Sequence, residues 1–190
     1  MDSKNMYYIW TIASNYPNYC WLQYDWDNNP DYLQFLENKK VNIGSDINFY
    51  LSKKANRNTF SKFDYVMSDA ISLVSKKLSD IILEYAFNDI QLVEVKVFQT
   101  ENFIGNYYMP IALQVIDCID KKKSVFDKEI DDFTKIVFKP DSLKDITIAK
   151  AKGYENNDFI VQEIFVEICK KEKIKGIEFF QEPYVNPLYT

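Results

Sequence analysis

The sequence predicts an α+β fold in a single domain, with a mostly antiparallel, mixed β-sheet and a few packed helices. Three observations support this: a long alternating apolar stretch, two amphipathic helices that are each followed by a strand, and the composition. Of 190 residues, 47% are hydrophobic and 16% aromatic, with only four glycines and six prolines. That much apolar surface has to be buried, which excludes a disordered chain. The length suffices for one well-buried domain.

Residues 1–60 are predicted to be a divergent N-terminal part packed on the same domain as the core, residues 61–190. Runs of β-branched and aromatic residues predict strands at Met6–Ile12, at Tyr19–Tyr24, which is expected to pair with it, and at Ile47–Leu51. Pro30 is a favourable first residue for a short helix to Asn38, with Tyr32, Leu33 and Leu36 on its inner side. Residues 53–61 are polar and predict a loop.

The strongest strand signal runs from Phe103 to Phe126. Side chains alternate faces along a strand, and the odd positions here form one apolar row: Tyr107, Met109, Ile111, Leu113 and Val115. We therefore expect a long strand in the middle of a sheet, followed by a polar reversal at residues 120–124. Pro110 lacks an amide donor and predicts an edge or a bulge at that point.

Two helix–strand units follow one another 87 residues apart. The first helix carries apolar residues from Val74 to Tyr85, has Ser75 as its expected N-cap, and precedes a strand at Ile90–Gln99. The second unit begins with a short segment, Phe159–Val161, that is predicted to lead into a helix. This helix precedes a strand at Ile177–Gln181. Its inner face is predicted to carry Val161, Ile164, Phe165, Ile168 and Cys169, and Gly176 to end it. The fold either uses one unit twice, or two amphipathic units resemble each other by chance.

Shorter strands complete the prediction, at Phe63–Met67, Thr134–Phe138 and Asp145–Lys150. An acidic loop at residues 127–132 precedes the second of them.

The composition excludes most catalytic machinery. There is no histidine, so serine and cysteine triads are excluded, and four scattered glycines exclude a phosphate-binding loop. Three separate cysteines cannot build a structural zinc site and are expected to be free thiols in a reducing compartment. We expect no cofactor, no metal, no enzymatic activity and a cytoplasmic location. Arg57 is the only arginine, which argues against nucleic-acid binding, and no apolar stretch is long enough to predict a membrane span.

One enzymatic alternative stays open. Glu94 and Lys96 lie two residues apart on a predicted strand, with Asp80 or Asp89 upstream. This arrangement resembles the metal-binding core of restriction-type nucleases, in which carboxylates hold Mg²⁺ and a lysine stabilises developing charge. The same residues also fit the outer face of an amphipathic strand.

Four segments resemble a known family, immunity family eleven of bacterial polymorphic toxin systems. They are Val74–Leu78, Tyr107–Phe126, Phe159–Val161 with the helix after it, and Ile174–Phe180. The resemblance covers about Phe63 to Pro183, whereas the first 60 residues match no family segment. It implies a cytoplasmic protein that binds one cognate toxin domain and blocks it, without catalysis. A generic interaction scaffold with another partner is the remaining alternative.

The net charge of −5 favours a basic protein partner, rather than a nucleic acid or a membrane. The first expected contact region contains Tyr24, Asp25, Trp26, Asp27 and Asp31. The second contains Asp127, Glu129, Asp131 and Asp132, and the third Glu155 and Asp158. The alternative for each region is a solvated loop without a partner.

Overall fold

The fold was obtained as a computed structural model, which describes residues 6–154 and 158–185. The helices are α1 (Leu33–Leu36), α2 (Arg57–Phe60), α3 (Lys76–Tyr85) and α4 (Glu163–Lys171), with a 3-10 helix at Asn18–Cys20. The first seven strands are β1 (Tyr7–Ile12), β2 (Leu22–Tyr24), β3 (Asn48–Leu51), β4 (Tyr65–Val66), β5 (Leu73–Val74), β6 (Ile90–Gln99) and β7 (Asn102–Ala112). The others are β8 (Val115–Ile116), β9 (Val125–Asp127), β10 (Asp132–Ile136), β11 (Ile148–Ala151), β12 (Phe159–Gln162), β13 (Ile177–Gln181) and β14 (Tyr184–Val185).

Six strands form one sheet in the order β2-β3-β6-β7-β5-β4, and a bridge between Leu22 and Ser68 closes it into a small barrel. Its two end strands meet near Leu22, which donates its N–H to the Met67 carbonyl at 2.9 Å and accepts the Asp69 amide at 3.1 Å. These bonds satisfy backbone groups that an open sheet would leave unpaired at its edges. The barrel encloses the first core cluster, to which Phe49 and Met109 belong.

A five-stranded sheet, β13-β1-β12-β11-β8, and a three-stranded sheet, β14-β10-β9, complete the fold. β1 lies inside the larger sheet and pairs antiparallel with both β12 and β13. Its side chains alternate between two core clusters: Tyr7 and Ile9 pack with the three-stranded sheet, and Trp10 packs with α3 and α4. The predicted α+β class, with mostly antiparallel, mixed sheets in a single domain, is confirmed. No helix within the described residues is long and apolar enough to cross a bilayer.

The repeated unit is present in three dimensions. α3 begins at Lys76 and α4 at Glu163, and the strands that follow them begin at Ile90 and Ile177, so both pairs are 87 residues apart. In each unit, the strands before and after the helix flank one antiparallel strand. That strand is β7 between β5 and β6, and β1 between β12 and β13. The two helices share one core cluster.

The capping prediction for α3 is confirmed, since the Ser75 hydroxyl accepts the Leu78 amide at 3.2 Å. The boundaries of α4 differ from the prediction. Residues 159–162 form β12 instead of a helical entry, and Val166 is buried on the inner face while Ile164 is exposed. The helix ends at Lys171, before Lys173 with its positive φ of 56°, and so before Gly176.

The strand predicted across residues 103–126 is shorter than expected. β7 ends at Ala112, because the chain then turns and the Leu113 amide donates to the Asp89 carbonyl at 2.7 Å. Val115 lies in the separate strand β8, which pairs in parallel with β11. Pro110 is tolerated because β5 pairs with β7 only at Tyr108, so the ladder on that side does not reach it.

Three N-terminal predictions are wrong. The segment Tyr19–Tyr24 contributes β2, which pairs with β3 and not with β1. The helix predicted from Pro30 is the single turn α1, whose buried residue is Phe35, whereas Leu33 is exposed. The polar segment 53–61 contains the short helix α2, capped by the side chain of Asn56.

Candidate functional site

Trp26 is an exposed aromatic residue with a fixed orientation. It lies in the turn after β2, and its side chain is 53% exposed. Its indole N–H donates to Asp69 Oδ2 at 3.0 Å. Its ring packs edge-on against Tyr24 at 5.2 Å and Tyr32 at 5.3 Å between centroids. An exposed ring held by three neighbours loses little conformational entropy when a partner covers it.

Two of the surrounding carboxylates, Asp25 and Asp31, are held by hydrogen bonds. Asp25 accepts the Asn28 amide at 3.3 Å and the Tyr50 hydroxyl at 3.3 Å. Asp31 accepts the Leu33 amide at 3.0 Å at the start of α1. Asp27 is exposed between them. We call Asp25, Trp26, Asp27, Asp31 and Asp69 the Trp26 surface.

Tyr24 supports this surface from below and does not form part of it. It is buried, and its hydroxyl donates to the Pro30 carbonyl. Burial, followed by the nearby charges of Asp31 and Asp25, raises its pKa to about 12.

Negative charge is concentrated in this part of the chain. No lysine or arginine occurs between Lys4 and Lys39, or in residues 41–52 and 63–75. The same segments contain seven acidic residues: Asp25, Asp27, Asp31, Glu37, Asp46, Asp64 and Asp69. Two of these acidic residues pair with lysines, Glu37 with Lys39 and Asp46 with Lys96.

The second predicted region is the turn between β9 and β10. Asp127 accepts the Glu129 amide at 2.8 Å, and Asp132 accepts the amide of the next residue at 2.7 Å. Asp131 has a positive φ of 54°, a conformation that aspartate tolerates in tight turns. The carboxylates of Asp127 and Asp132 therefore shape the turn, while Glu129 and Asp131 are exposed.

The third predicted region is only partly described, because Glu155 lies outside the described residues. Asp158 is half-buried, and the Tyr154 hydroxyl donates to its Oδ2 at 3.0 Å. Burial raises the pKa of Asp158, against the hydrogen bonds from Thr11 and Tyr154, and the charge of Asp132 raises it further. The rings of Phe133, next to Asp132, and Tyr154 lie 6.4 Å apart between centroids, so the second and third regions are neighbours, whereas the Trp26 surface lies on the barrel.

A pocket of about 280 Å³ lies between the barrel and the five-stranded sheet. Its lining includes Tyr65, Ser72, Lys150, Tyr154 and Phe159. Lys150 Nζ lies 4.5 Å from the centroid of the Phe159 ring, and burial lowers the pKa of Lys150 to about 8. The sequence analysis did not single out Lys150, because its position in a polar-apolar alternation resembles that of any surface lysine.

The residues of the nuclease alternative do not converge. Glu94 accepts a hydrogen bond from Asn106, Lys96 pairs with Asp46, and Asp80 pairs with Lys76 on α3. Asp89 instead accepts the backbone amides of residues 147 and 148, at 2.7 and 3.1 Å. Within residues 6–154 and 158–185, no three acidic, cysteine or histidine residues are grouped so that they could hold a metal.

Comparison with known families decides the classification. The model of the immunity protein family Imm11 matches residues 16–181 of the chain. This chain belongs to the Imm11 family. Membership suggests a toxin-neutralising immunity role. No curated protein matches the sequence.

The Imm11 match begins at residue 16, well before the Phe63 at which the resemblance in the sequence analysis began. It therefore includes the Trp26 surface, for which no family resemblance was found from the residues alone. The structure gives a physical reason for this extent. β2 pairs with β3 and β3 pairs with β6, so the barrel of this chain could not close without them.

Asp69 is the residue of the Trp26 surface that the sequence analysis missed. Its carboxylate binds the Tyr24 amide at 2.7 Å as well as the Trp26 indole. It lies more than forty positions away from both residues in the chain and reaches them only because the barrel closes. The local signal, an Asp after Ser68 in a polar turn, is typical of many loops.

Proposed function

We propose that this chain is a cytoplasmic immunity protein that binds one cognate toxin domain in a stoichiometric complex and blocks it without catalysis. We further propose that the Trp26 surface is the main contact, and that the toxin domain presents a basic surface to it. The observation that supports this most directly is Trp26 itself, an oriented and half-exposed aromatic ring among carboxylates.

The two kinds of residue would have separate roles. Carboxylates in a segment without basic residues attract a basic partner over several ångströms and raise the association rate. A rigid tryptophan that becomes buried at the centre of a contact slows dissociation, because aromatic anchors contribute most of the binding energy at protein interfaces. A lysine or arginine of the toxin domain that packs on the face of the Trp26 ring would add a cation–π attraction.

The other predicted acidic residues are secondary contacts in this proposal. Glu129 and Asp131 are exposed at the tip of the β9–β10 turn and could face a basic partner. Asp127, Asp132 and Asp158 are each hydrogen-bonded within the protein. Their substitution is expected to act on local structure before it acts on binding.

The test is co-expression with the toxin domain encoded beside the gene for this chain. Cells that produce the toxin domain alone should die, and cells that also produce this chain should survive. The two purified proteins should form a complex of defined stoichiometry in size-exclusion chromatography. Absence of both rescue and complex formation would refute the proposal. Inhibition at far below one equivalent of this chain would contradict the stoichiometric mechanism.

A further inference from the structure

Three aromatic residues form a row across the outer face of the barrel. Tyr50 of β3 lies opposite Phe98 of β6, and Phe98 lies opposite Phe103 of β7. The ring centroids are 6.0 Å apart in the first pair and 5.6 Å apart in the second. We call Tyr50, Phe98 and Phe103 the aromatic row.

The aromatic row points away from the barrel core. Phe49 and Leu51, which flank Tyr50 on β3, are buried inside the barrel, and so is Val97 beside Phe98. None of the three core clusters among the described residues includes a residue of the row. Phe103 is 55% exposed. Tyr50 and Phe98 are partly buried beside it. An exposed aromatic side chain with two partly exposed aromatic neighbours on the outer face of a sheet is typical of a surface that a partner covers.

The row is continuous with the Trp26 surface. The Tyr50 hydroxyl donates to Asp25, the residue next to Trp26, at 3.3 Å. Polar groups border the row on the next positions of the same strands. There Glu94 accepts a bond from Asn106, and Lys96 is neutralised by Asp46. Apolar groups beside a polar and acidic margin are typical of a protein–protein interface.

Charge indicates the chemistry of the partner. The chain on the Asp25 side of the row, residues 22–52, contains five acidic residues and two lysines, Lys39 and Lys40. Glu37 and Asp46 pair with lysines, and the other three acidic residues, Asp25, Asp27 and Asp31, belong to the Trp26 surface. Lys53 and Lys54 follow β3, the strand that carries Tyr50, and are exposed. A partner that covers the row and the Trp26 surface together therefore meets negative charge at the Trp26 end.

We propose that the aromatic row is the second half of the toxin contact, and that it receives an apolar patch bordered by basic side chains on the toxin domain. This inference rests on the proposed function and adds a defined face to it. The contact then runs from Trp26 across β3 and β6 to Phe103. The row supplies apolar area, and the Trp26 surface supplies charge.

The competing explanation is that the row only stabilises the sheet. Cross-strand aromatic pairs do so to a modest degree, independently of any partner. The two explanations differ in what Phe103→Ala changes. A stabilising role lowers the melting temperature of the free protein, whereas a contact role weakens the complex while the free protein keeps its fold.

The experiment measures binding of the catalytically inactivated toxin domain to wild type, Phe103→Ala and Phe87→Ala by surface plasmon resonance. Phe87, two residues after the end of α3, is a matched control because it is 64% exposed and lies outside the row. We expect Phe103→Ala to raise the Kd at least about tenfold, mainly through faster dissociation. Phe87→Ala should change the Kd by less than about threefold relative to wild type, as expected for a residue outside the contact.

Hydroxyl-radical footprinting of the wild-type complex provides a second readout that needs no variant. The side chain of Phe103 should be protected by the toxin domain, and that of Phe87 should react as in the free protein. If wild type binds and Phe103 is neither protected nor important for the Kd, this inference is wrong and the proposed function stands. If wild type does not bind the toxin domain, both are refuted.

Discussion

Replacing Gly176 with alanine should destabilise the protein strongly, because this glycine sits where two sheets meet. It has a φ of +89°, and a Cβ built on it would lie 2.2 Å from the backbone carbonyl oxygen of Tyr65. The neighbouring backbone joins the barrel to the five-stranded sheet. The Lys175 carbonyl accepts the Tyr65 amide at 3.1 Å, and the Gly176 carbonyl accepts the Ala13 amide at 3.0 Å.

Two effects add up in Gly176→Ala. A left-handed backbone costs a residue with a Cβ about 1–2 kcal/mol relative to glycine. The contact with Tyr65 cannot be relieved by a side-chain rotation, because the opposing atom belongs to the backbone, and overpacking of this kind costs about 1–3 kcal/mol. We expect a loss of about 2–5 kcal/mol, a large part of the roughly 5–15 kcal/mol that stabilises a typical domain.

Urea denaturation followed by tryptophan fluorescence measures this loss as a lower midpoint at an unchanged m-value. Gly44→Ala is the matched control, since a Cβ at Gly44 meets nothing within 4 Å and its φ is not in the left-handed region. That substitution should change the free energy of unfolding by less than about 1 kcal/mol. If the free energies of unfolding of the two variants differ by less than about 0.5 kcal/mol, the close approach of Gly176 to the Tyr65 backbone is wrong.

Three further predictions concern single groups. Ser75→Ala removes the cap of α3 and should lower the free energy of unfolding by about 1 kcal/mol in urea denaturation, while Ser75→Thr should retain most of it. Asp89→Ala leaves the amides of Thr147 and Ile148 without their acceptor and should lower the free energy of unfolding, measured by calorimetry, by at least about 2 kcal/mol. A smaller loss would mean that water replaces the carboxylate as the acceptor. Burial raises the pKa of Cys118 from 9.0 to about 12, so above pH 9 the thiol ionises only in the unfolded chain. Stability should therefore fall between pH 9 and 12, by up to about 1.4 kcal/mol per pH unit for this group, and the fall should be shallower in Cys118→Ala.

Local patterns in the sequence were sufficient for the helix–strand units. The period of 3.6 residues located α3 and α4, and the serine before α3 located its start. The strand predicted at Ile90–Gln99 is β6, with the same bounds. Each of these signals depends on residues within a few positions of one another, so no knowledge of the remaining chain was needed.

The pairing of strands could not be predicted in the same way. A period of two residues identifies a strand and its buried face, but both edges of any strand offer the same backbone donors and acceptors. β1 therefore could have paired with the nearby β2, whereas it pairs with β12 and β13 about 150 to 170 residues away. Closure of the barrel beside Leu22 depends on the same kind of distant contact.

In the candidate site, too, local sequence patterns indicated some features, whereas others depend on contacts between distant residues. An aromatic residue among aspartates in a turn indicated the Trp26 surface from composition alone. The support from Asp69 and the continuity with Phe103 depend on barrel closure and on strand register. Asp158 was expected in a contact region, but it is half-buried and its carboxylate accepts the Tyr154 hydroxyl at 3.0 Å.

The most direct test of the account is the affinity of the inactivated toxin domain for Trp26→Ala, measured by isothermal titration calorimetry beside Trp21→Ala. Trp21 is 41% exposed, close to the 53% of Trp26, and lies outside the Trp26 surface. We predict that Trp26→Ala raises the Kd about 30-fold or more, as loss of an anchor of about 2 kcal/mol requires. Trp21→Ala should keep the wild-type Kd, and equal affinities for the two variants would contradict a toxin contact centred on Trp26.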